Sequence, residues 1–579
     1  MAQNLEYVRH TLSHLMAAAV LKHRPDAKRT LGPAIENGFY YDFEFPSPLS
    51  DEDLPAIEQT MRDILSSWKK FDHKEVDPEE AREFFADNPY KLEMIDEIVG
   101  KGEKLTLYTS GDFTDLCRGG HVKHPAKDIP ADSFKLDKIA GAYWRGDEKN
   151  AQLTRIYGLA FGSKKELDAY VTMREEAKKR DHKVLGPALD LFVFSDLVGS
   201  GLPLWTPRGT LMRNLLDDFV WSLRSRYGYQ KVEIPHITKK ELYETSGHWA
   251  KYKDDLFRIT TREGHEFAMK PMNCPHHTQI YARHQNSYRD LPVRYANTTM
   301  VYRDEQTGEL SGLSRARSFT QDDAHVFCRL SQVKEEALKI WDIVHEFYPA
   351  FGFQLKVRLS RHDPAHPEKY LGNPESWKTT EALLETIVRD KNVEYVDAVG
   401  EAAFYGPKID FIANDSLGRE WQVATIQLDM NMPERFDLTC INEKGEKERI
   451  VMIHAAIMGS IERFLSVLIE HTAGSFPLWL SPVQVAVHPI SEKHADAAVV
   501  CATQLGAAGM RVEVSPGSET IGKRIRESEK QKIPYSVVLG DKDIAAGVVS
   551  VRARGGEDLG QVALDDFIKR LTEEVNNKA

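Results

Sequence analysis

Long apolar runs are missing from this sequence. In the 579-residue chain we find no uninterrupted apolar stretch of about 18 residues, the length that a membrane-spanning helix requires. The N-terminal segment is interrupted by Glu6, Arg9, His10 and His14, whereas a secretory signal peptide has a continuous apolar core. We therefore expect a cytoplasmic protein without membrane segments.

Cysteine is also scarce, and the chain has no excess of positive charge. The five cysteines lie far apart, at Cys117, Cys274, Cys328, Cys440 and Cys501. Their odd number and spacing argue against a disulfide framework and favour free thiols or metal ligands. A formal net charge of −12 does not indicate a nucleic-acid-binding protein, although a local basic face still attracts phosphates. Residues 523–532 are a candidate face, and a solvated helix is the alternative.

The length is too great for one hydrophobic core and predicts three or four domains. The first predicted domain, residues 1–180, mixes helical stretches such as 164–178 with a strand at 141–145. A charged joint at 180–183 precedes the second domain, residues 184–480. There, an amphipathic helix at 210–227 is followed by a predicted strand, Val232-Glu233-Ile234-Pro235, which the proline ends.

The last predicted domain, residues 481–579, alternates strands and helices. Its predicted elements are strands at 483–487, 510–514 and 535–539 and helices at 491–505 and 521–531. Such alternation predicts a parallel α/β sheet.

An arginine-rich segment is the most informative part of the chain. It consists of Val301-Tyr302-Arg303-Asp304-Glu305, a Gly/Ser-rich connection, and Arg315-Ala316-Arg317-Ser318-Phe319-Thr320-Gln321-Asp322-Asp323-Ala324-His325. The pattern predicts two antiparallel strands joined by a loop at 306–312. Guanidinium groups bind phosphate oxygens, and an adjacent phenylalanine stacks on a base, which indicates a nucleotide site. A solvated charged hairpin is the alternative interpretation of these residues alone.

This segment resembles motif 2 of the class II aminoacyl-tRNA synthetases, in the form characteristic of the threonyl-tRNA synthetase family. Further family motifs occur in the family's order: Met269 to Pro275, Phe404 to Asp410, Trp421 to Asp429, and His454 to Phe464, which resembles motif 3. The helix at 210–227 with its following strand is similar to motif 1, which lies at the homodimer interface in this class.

The resemblance implies a multidomain fold of α/β and α+β parts. It assigns residues 1–180 to an α+β editing domain with a linker helix, 184–480 to an antiparallel-sheet catalytic core, and 481–579 to an α/β anticodon-binding domain. Bacterial members usually carry a small ubiquitin-like domain before the editing domain, and we expect it to be absent here because only nine residues precede His10.

The implied activity is ATP-dependent activation of L-threonine, its transfer to tRNA(Thr), and hydrolysis of mischarged seryl-tRNA(Thr). The alternatives are a synthetase-like tRNA-binding protein that lost activation, or a stand-alone seryl-tRNA hydrolase. Neither is favoured, since the motif arginines are present and a hydrolase would not need residues 184–579.

The resemblance also implies the ATP site. Arg303 would bind the α-phosphate and the substrate carboxylate, Glu305 the adenine amino group, and Phe319 the adenine ring. The remaining implied ATP contacts are Arg315, Gln422, Thr425 and Arg463, with Mg²⁺ accompanying the triphosphate. Lys408 and His248 are further catalytic candidates, His248 in transfer to the tRNA ribose.

A zinc ion is implied on Cys274, His325 and His454. Three protein ligands leave a position open for substrate. The threonine pocket would be completed by Asp323, Tyr405, Gln321, Gln427 and Met272. We expect the neighbouring His276 to face solvent rather than to reach the zinc.

Zinc cannot reject serine, which carries the same amine and hydroxyl groups, so a second, hydrolytic site is required. His10 and His14 lie four apart on one side of a predicted helix, and Cys117 and His121 lie on a glycine-rich loop. By spacing, these four residues predict a zinc site. The resemblance to the editing domain shared by threonyl- and alanyl-tRNA synthetases instead favours metal-free hydrolysis, with Tyr41, Lys91 and Asp115 as further site residues.

Three residues of the last domain match positions that contact the anticodon in related enzymes: Ser518, Asp543 and Arg552. The first two depart from the asparagine and glutamate found there, while Arg552 matches.

Overall fold

The computed structural model describes residues 5–252 and 254–578. The chain divides into two compact units, residues 1–175 and 176–579. None of the helices in the described residues combines the length and the apolar character that crossing a bilayer requires.

The first unit contains two small sheets and a buried N-terminal helix. Its helices are α1 (Leu5–His23), α2 (Leu54–Leu65), α3 (Pro78–Phe84), α4 (Pro89–Gly100), α5 (Pro125–Asp128) and α6 (Lys164–Arg180), which continues beyond residue 175. Its strands are β1 (Lys28–Arg29), β2 (Ala34–Ile35), β3 (Gly38–Glu44), β4 (Asp72–Val76), β5 (Leu105–Ser110), β6 (Phe113–Leu116), β7 (Phe134–Tyr143) and β8 (Gln152–Ala160). One sheet has the order β1-β3-β8-β7, with β2 on β3, and the other has the order β4-β5-β6.

Helix α1 fills the centre of this unit. Leu12, Leu15 and Met16 are fully buried in a core that includes Phe39 and Ile156 from the larger sheet. Burial of such apolar side chains contributes roughly 1.5–3 kcal/mol each. The histidines of α1 are therefore held on a helix that the core fixes in place.

Most of the second unit surrounds an eight-stranded sheet. Its helices are α7 (His182–Ala188), α8 (Pro207–Ser225), α9 (Lys240–Ser246), α10 (His248–Lys251), α11 (Cys274–Tyr281), α12 (Val333–Phe347), α13 (Pro374–Asp390), α14 (Asn431–Arg435) and α15 (Ile461–Thr472). Its strands are β9 (Phe192–Val193), β10 (Leu204–Trp205), β11 (Gln230–Lys231), β12 (Ile237–Lys239), β13 (Arg258–Thr260), β14 (Glu266–Met269), β15 (Asn286–Ser287), β16 (Val293–Tyr302), β17 (Ser318–Cys328), β18 (Gln354–Arg361), β19 (Tyr395–Val399), β20 (Lys408–Asn414), β21 (Glu420–Asp429), β22 (Thr439–Ile441), β23 (Lys447–Arg449) and β24 (Val451–Ser460).

The large sheet has the order β11-β16-β17-β24-β21-β20-β18-β19. All pairs are antiparallel except the two at its edges. Helices α8, α12, α13 and α15 contribute to the hydrophobic core on the sheet. The predicted antiparallel-sheet core is confirmed.

The C-terminal part of the second unit has its own core. It contains α16 (Ala495–Ala507), α17 (Ile521–Lys530), α18 (Asp541–Ala546), α19 (Leu564–Asn576), β25 (Val485–Pro489), β26 (Val512–Val514), β27 (Tyr535–Leu539), β28 (Val548–Ala553) and β29 (Asp558–Ala563). The order is β26-β25-β27-β28-β29, and the first three strands are parallel, as predicted. The prediction missed β28 and β29, which extend the sheet with antiparallel strands.

Two predicted strands need correction. Residues 232–235 form no strand, because the ladder with β16 covers only Gln230–Lys231 and the amide of Val232 makes one further bond, to the Ala296 carbonyl (3.0 Å). The strand predicted at 141–145 ends at Tyr143. Arg145 there adopts a positive φ of 57°, which turns the chain away from the sheet.

Candidate active site and editing site

A pocket of about 410 Å³ lies on the eight-stranded sheet. Antiparallel neighbours β17, β24, β21 and β20 supply most of its wall. Twelve residues named from the sequence line it: Met272, Cys274, Arg303, Gln321, Asp323, His325, Tyr405, Lys408, Gln422, Thr425, Gln427 and His454. Residues that are far apart in the chain are therefore brought to one cavity.

Strand geometry explains how β17 contributes three side chains. Gln321, Asp323 and His325 alternate along the strand, so their side chains share one face. The pairing of β17 with β24 shifts between Asp322 and Ala324, and the extra residues of this bulge lie on β24, between Ala455 and Gly459. The Asp322 carboxylate stabilises the bulge by accepting the N–H groups of Ile457 and Met458 (both 2.9 Å).

Cys274, His325 and His454 form a buried cluster whose ligand atoms lie within 4.8 Å of one another. His325 and His454 are directly paired across β17 and β24, and Nε2 of His325 lies 3.1 Å from Nδ1 of His454. Cys274 begins helix α11. Burial lowers the pKa of His325 and raises the pKa of Cys274.

The outward nitrogens of these histidines have partners that sequence reasoning missed. Nε2 of His454 lies 3.0 Å from the buried carboxylate of Asp429, and Nδ1 of His325 lies 2.8 Å from Nδ1 of His277. Asp429 ends the motif Trp421 to Asp429, whereas His277 lies just past the motif that ends at Pro275, three residues after Cys274 in the same helix. Motif membership could have identified Asp429, and the spacing of three residues from Cys274 on one helix face could have identified His277.

This arrangement fits a zinc ion. If Nε2 of His454 donates to Asp429, its Nδ1 presents a lone pair to the Nε2 of His325. A cation between the two nitrogens satisfies both lone pairs, and a histidine whose other nitrogen donates to a carboxylate is the usual form of a metal ligand. Thiolate and imidazole are the donor types that zinc prefers.

Asp323 is the acidic group on the pocket wall. It accepts a hydrogen bond from the Asn273 amide (3.1 Å), and burial raises its pKa to about 6. The ring of Tyr405 lies 5.1 Å from the ring of His454. Tyr252 and Ala403 also line the pocket, and nothing in the sequence singled them out.

A second buried carboxylate, Asp410, organises the polar wall opposite. It accepts hydrogen bonds from Gln422 (2.7 Å) and Thr425 (2.9 Å), and Lys408 lies 2.9 Å from it. Arg358 and Ser360 on β18 also bond to it. Asp410 was quoted within a motif but given no role, and it fixes three of the predicted site residues.

The arginines predicted to bind ATP differ in whether they form an ion pair within the protein. Neither Arg303 nor Arg463 forms an ion pair with a carboxylate in residues 5–252 and 254–578. Arg303 lies over the ring of Phe319, with 5.3 Å between guanidinium carbon and ring centre. Arg315 instead pairs with Glu305 (2.7 Å), so ligand binding must compete with this ion pair.

His248 and His276 lie apart from the cluster. His248 does not line the pocket; it is buried next to Tyr252 and Tyr405, and burial lowers its pKa to about 3. The expectation that His276 faces solvent is wrong. It is 7% exposed, because α11 packs its first turn against Tyr243 of α9, and it does not belong to the cluster of possible metal ligands.

In the first unit, His10, His14, Cys117 and His121 form a second cluster with ligand atoms within 4.8 Å. Nε2 of His10 lies 3.2 Å from Nε2 of His14 and 3.5 Å from the Cys117 sulfur, which lies 3.5 Å from Nε2 of His121. Burial lowers the pKa of His121 to about 3 and raises the pKa of Cys117 to about 11. The group is therefore uncharged at neutral pH.

The other predicted editing residues meet at Asp115. This buried carboxylate lies 2.7 Å from Lys91 Nζ and 3.3 Å from Arg29 Nε, and it accepts a hydrogen bond from Tyr41 (2.5 Å). Burial opposes its ionisation, but Lys91 and Arg29 outweigh burial and lower the pKa of Asp115. A pocket of about 340 Å³ opens beside these residues and the cluster.

The predicted anticodon residues differ in exposure. Ser518 is exposed before α17, and Arg552 is half-buried on β28. Asp543 is buried and accepts hydrogen bonds from the Gly540 amide (3.0 Å), Ser550 (2.7 Å) and Gln561 (2.9 Å). Its carboxylate is therefore engaged within the protein.

Family models match three parts of the chain. The tRNA synthetase class II core domain (G, H, P, S and T) matches residues 257–472, and the anticodon binding domain matches residues 484–574. The threonyl and alanyl tRNA synthetase second additional domain matches residues 105–157.

Individual relatives agree. A threonine–tRNA ligase of Porphyromonas gingivalis is 48% identical over 575 residues, covering 98% of this chain and 87% of the relative, and one of Thermotoga maritima is 46% identical over 573 residues, covering 98% and 88%. The RNA binding domain of threonyl-tRNA synthetase from Cryptosporidium parvum aligns with a TM-score of 0.65 at 36% identity, covering 68% of this chain and 98% of that chain. A putative threonyl-tRNA synthetase from Aeropyrum pernix aligns with a TM-score of 0.62 at 31% identity, covering 69% and 97%. The chain therefore belongs to the threonyl-tRNA synthetase family of the class II aminoacyl-tRNA synthetases.

Proposed function

We propose that this chain is a threonine–tRNA ligase that activates L-threonine with ATP and Mg²⁺, transfers it to tRNA(Thr), and hydrolyses mischarged seryl-tRNA(Thr). The observation that carries the proposal is the Cys274, His325 and His454 cluster in the same pocket as Arg303 and Asp323. Protein synthesis takes place in the cytoplasm, where we expect the chain to act.

Activation requires the threonine carboxylate to be held in line with the α-phosphorus of ATP. Arg303 suits both groups, since its guanidinium lines the pocket and has no carboxylate partner among the described residues. Phe319 offers a ring beside it for adenine. Arg463 lies in the first turn of α15, the motif 3 helix, and offers the distal phosphates a charge that is unpaired among the described residues. Lys408 would stabilise the negative charge that develops on the α-phosphate as the threonine carboxylate attacks it and pyrophosphate leaves.

Cys274, His325 and His454 would hold one zinc ion. When bound, zinc would supply open coordination positions for the amine and hydroxyl groups of threonine, with expansion from four to five ligands. Asp323 accepts the proton of the hydroxyl, and Gln321, Gln427, Met272 and Tyr405 enclose the side chain. Valine places a methyl group against these polar groups, which leaves them unpaired and disfavours valine by about 10⁴-fold or more.

Serine differs from threonine by one methyl group, which is worth only about 10–200-fold in such a pocket. We assign the removal of serine to the first unit. His10 and His14 are neutral and suited to take a proton from water, and Cys117 and His121 border the same space. We favour hydrolysis without a metal there, because Lys91 and Arg29 place positive charge beside the cluster.

The remaining assignments concern domains and assembly. We propose an editing domain over 1–180, a catalytic domain over 184–480 and an anticodon-binding domain over 481–579 that contacts tRNA through Ser518, Arg552 and the region of Asp543. We also propose a homodimer. Five apolar side chains in β9, in β10 and in the segment that joins them are exposed, and a second copy of the chain would cover them: Val193, Phe194, Leu197, Val198 and Leu204.

Threonine-dependent exchange of pyrophosphate into ATP tests the proposed activity. We expect exchange with threonine, weak exchange with serine and none above background with valine. No exchange with threonine in zinc-loaded protein contradicts the proposal and favours a tRNA-binding protein without activation. Sedimentation of the purified protein tests the homodimer, and a monomer at micromolar concentration contradicts it.

A further inference from the structure

His182 is a buried histidine with bonds to two distant parts of the second unit. Its backbone N–H (3.2 Å) and its Nδ1 (2.6 Å) both contact the carboxylate of Glu470, which lies in helix α15. Its Nε2 accepts the N–H of Leu313 at 3.1 Å. Leu313 belongs to the motif 2 loop, which we define as residues 303–317. One imidazole thus joins the motif 2 loop to the motif 3 helix.

The contacted part of the loop is a tight turn. Ser311 and Arg315 bridge across it, and Leu313 at its tip is only 1% exposed. Gly312 has a φ of +53°, and a Cβ atom there would lie 2.4 Å from Nε2 of His182. The turn therefore approaches the imidazole as closely as its sequence allows.

The hydrogen bonds specify the protonation of His182. An acceptor at Nε2 for the Leu313 N–H carries no proton, so Nδ1 carries it and donates to Glu470. Asp181 and Glu470 lie near His182 in a group that has metal-ligand spacing. Because both ring nitrogens are already used, the bonds account for this group without a metal.

We propose that His182 is a positioning residue that holds the motif 2 loop against the motif 3 helix and thereby sets the loop residues Glu305 and Arg315 for ATP. Arg315 belongs to the turn and forms an ion pair with Glu305, the residue proposed to bind adenine, so the position of the turn affects the position of Glu305. This inference rests on the proposed activation of threonine by ATP, since it assigns Glu305 and Arg315 to ATP binding.

The two ring nitrogens can be tested separately. In His182→Asn, the side-chain amide can still donate to Glu470, but it is too short to accept from Leu313. In His182→Gln, the longer side chain places an oxygen near the former Nε2. We expect His182→Asn to raise KM for ATP about tenfold, the usual effect of losing one buried hydrogen bond, while KM for threonine changes less than twofold. His182→Gln should restore most of the ATP affinity.

A pair of glycine substitutions provides a matched test that leaves His182 intact. Gly312→Ala would push the turn away from the imidazole and should reproduce the rise in KM for ATP. Gly308→Ala lies in the same loop, but a Cβ there meets nothing within 4 Å, so it should behave like the unmodified protein. The thermal unfolding midpoint of each variant identifies a general loss of stability.

Hydrogen exchange of the loop amides, measured without substrate, keeps the inference separable from the proposed activity. Faster exchange over 306–317 in His182→Asn and Gly312→Ala, but not in Gly308→Ala, supports the positioning role even if the protein activates no amino acid. Unchanged loop exchange, or equal rises of KM for ATP and threonine in His182→Asn, would overturn it.

Discussion

Two clusters are built from the same residue types in different electrostatic surroundings. We call them the catalytic cluster (Cys274, His325 and His454) and the editing cluster (His10, His14, Cys117 and His121). Each has histidines and one cysteine with ligand atoms within 4.8 Å, and each has a histidine next to a buried carboxylate, His454 beside Asp429 and His14 beside Asp115. Distances between ligand atoms therefore do not distinguish them.

The carboxylates differ in their partners. Asp115 lies 2.7 Å from Lys91 and 3.3 Å from Arg29, whereas no lysine or arginine pairs with Asp429 in residues 5–252 and 254–578. A carboxylate without a cationic partner favours a nearby metal ion, and one that is already neutralised does not. We therefore propose that the charges around a set of ligands decide, as much as the ligands themselves, whether the set binds a metal.

The largest effect should come from removing metal. We expect removal of zinc by chelation, with Mg²⁺ restored before the assay, to lower threonine-dependent pyrophosphate exchange by about 10³-fold or more, the scale of several kcal/mol that a substrate-binding metal contributes. Hydrolysis of seryl-tRNA should change less than twofold. Mass spectrometry of the native protein should find one zinc per chain, and two would contradict the contrast between the clusters.

Substitutions in the editing cluster should lower seryl-tRNA hydrolysis and spare threonine activation, the reverse of the effect expected from zinc removal. In a double variant, His10→Ala with Cys117→Ala, we expect seryl-tRNA hydrolysis to fall by about 10²-fold or more, because the groups that position and deprotonate water are lost. Threonine activation should be unchanged. Seryl-tRNA hydrolysis at the native rate in this variant would show that these residues are not the editing site.

Asp429→Asn tests the favourable charge at the catalytic cluster. Since Asp429 orients His454 and increases its basicity, we expect a 10–100-fold loss of zinc affinity, the range found for such outer ligands. Competition with a chromogenic chelator measures this affinity. Asp437→Asn provides a control, because Asp437 pairs with Arg449 at the surface. Equal affinities in the two variants would remove the proposed role of Asp429.

Lys91→Met should give the smallest effect, a gain in zinc affinity at the editing cluster where Asp429→Asn loses affinity at the catalytic cluster. Removing this cation leaves Asp115 less neutralised, so we expect the editing cluster to bind zinc about tenfold more tightly. Measurement in a Cys274→Ala background isolates this cluster. Lys91→Arg retains the charge and should not gain affinity; a gain there would point to altered packing instead.

Much of the site could be predicted because its residues lie within short family motifs. Gln321, Asp323 and His325 follow one another along a strand, so their shared face follows from the sequence pattern. The antiparallel core was implied by the family resemblance, whereas the β26-β25-β27 sheet was predictable from the alternation of strands and helices. The burial of His276 was not, because it depends on α9, a helix from a different part of the chain.

By itself, the sequence determined the family, the fold class, and the local order of the site residues, since these depend on motifs and on neighbours along the chain. Only the tertiary structure decided which residues surround them. Asp410 joins β18, β20 and β21 through strand register, Asp429 reaches His454 across 25 residues, and His182 reaches Glu470 across 288. Such hydrogen bonds and ion pairs form only after distant strands and helices have packed, so no local pattern encodes them.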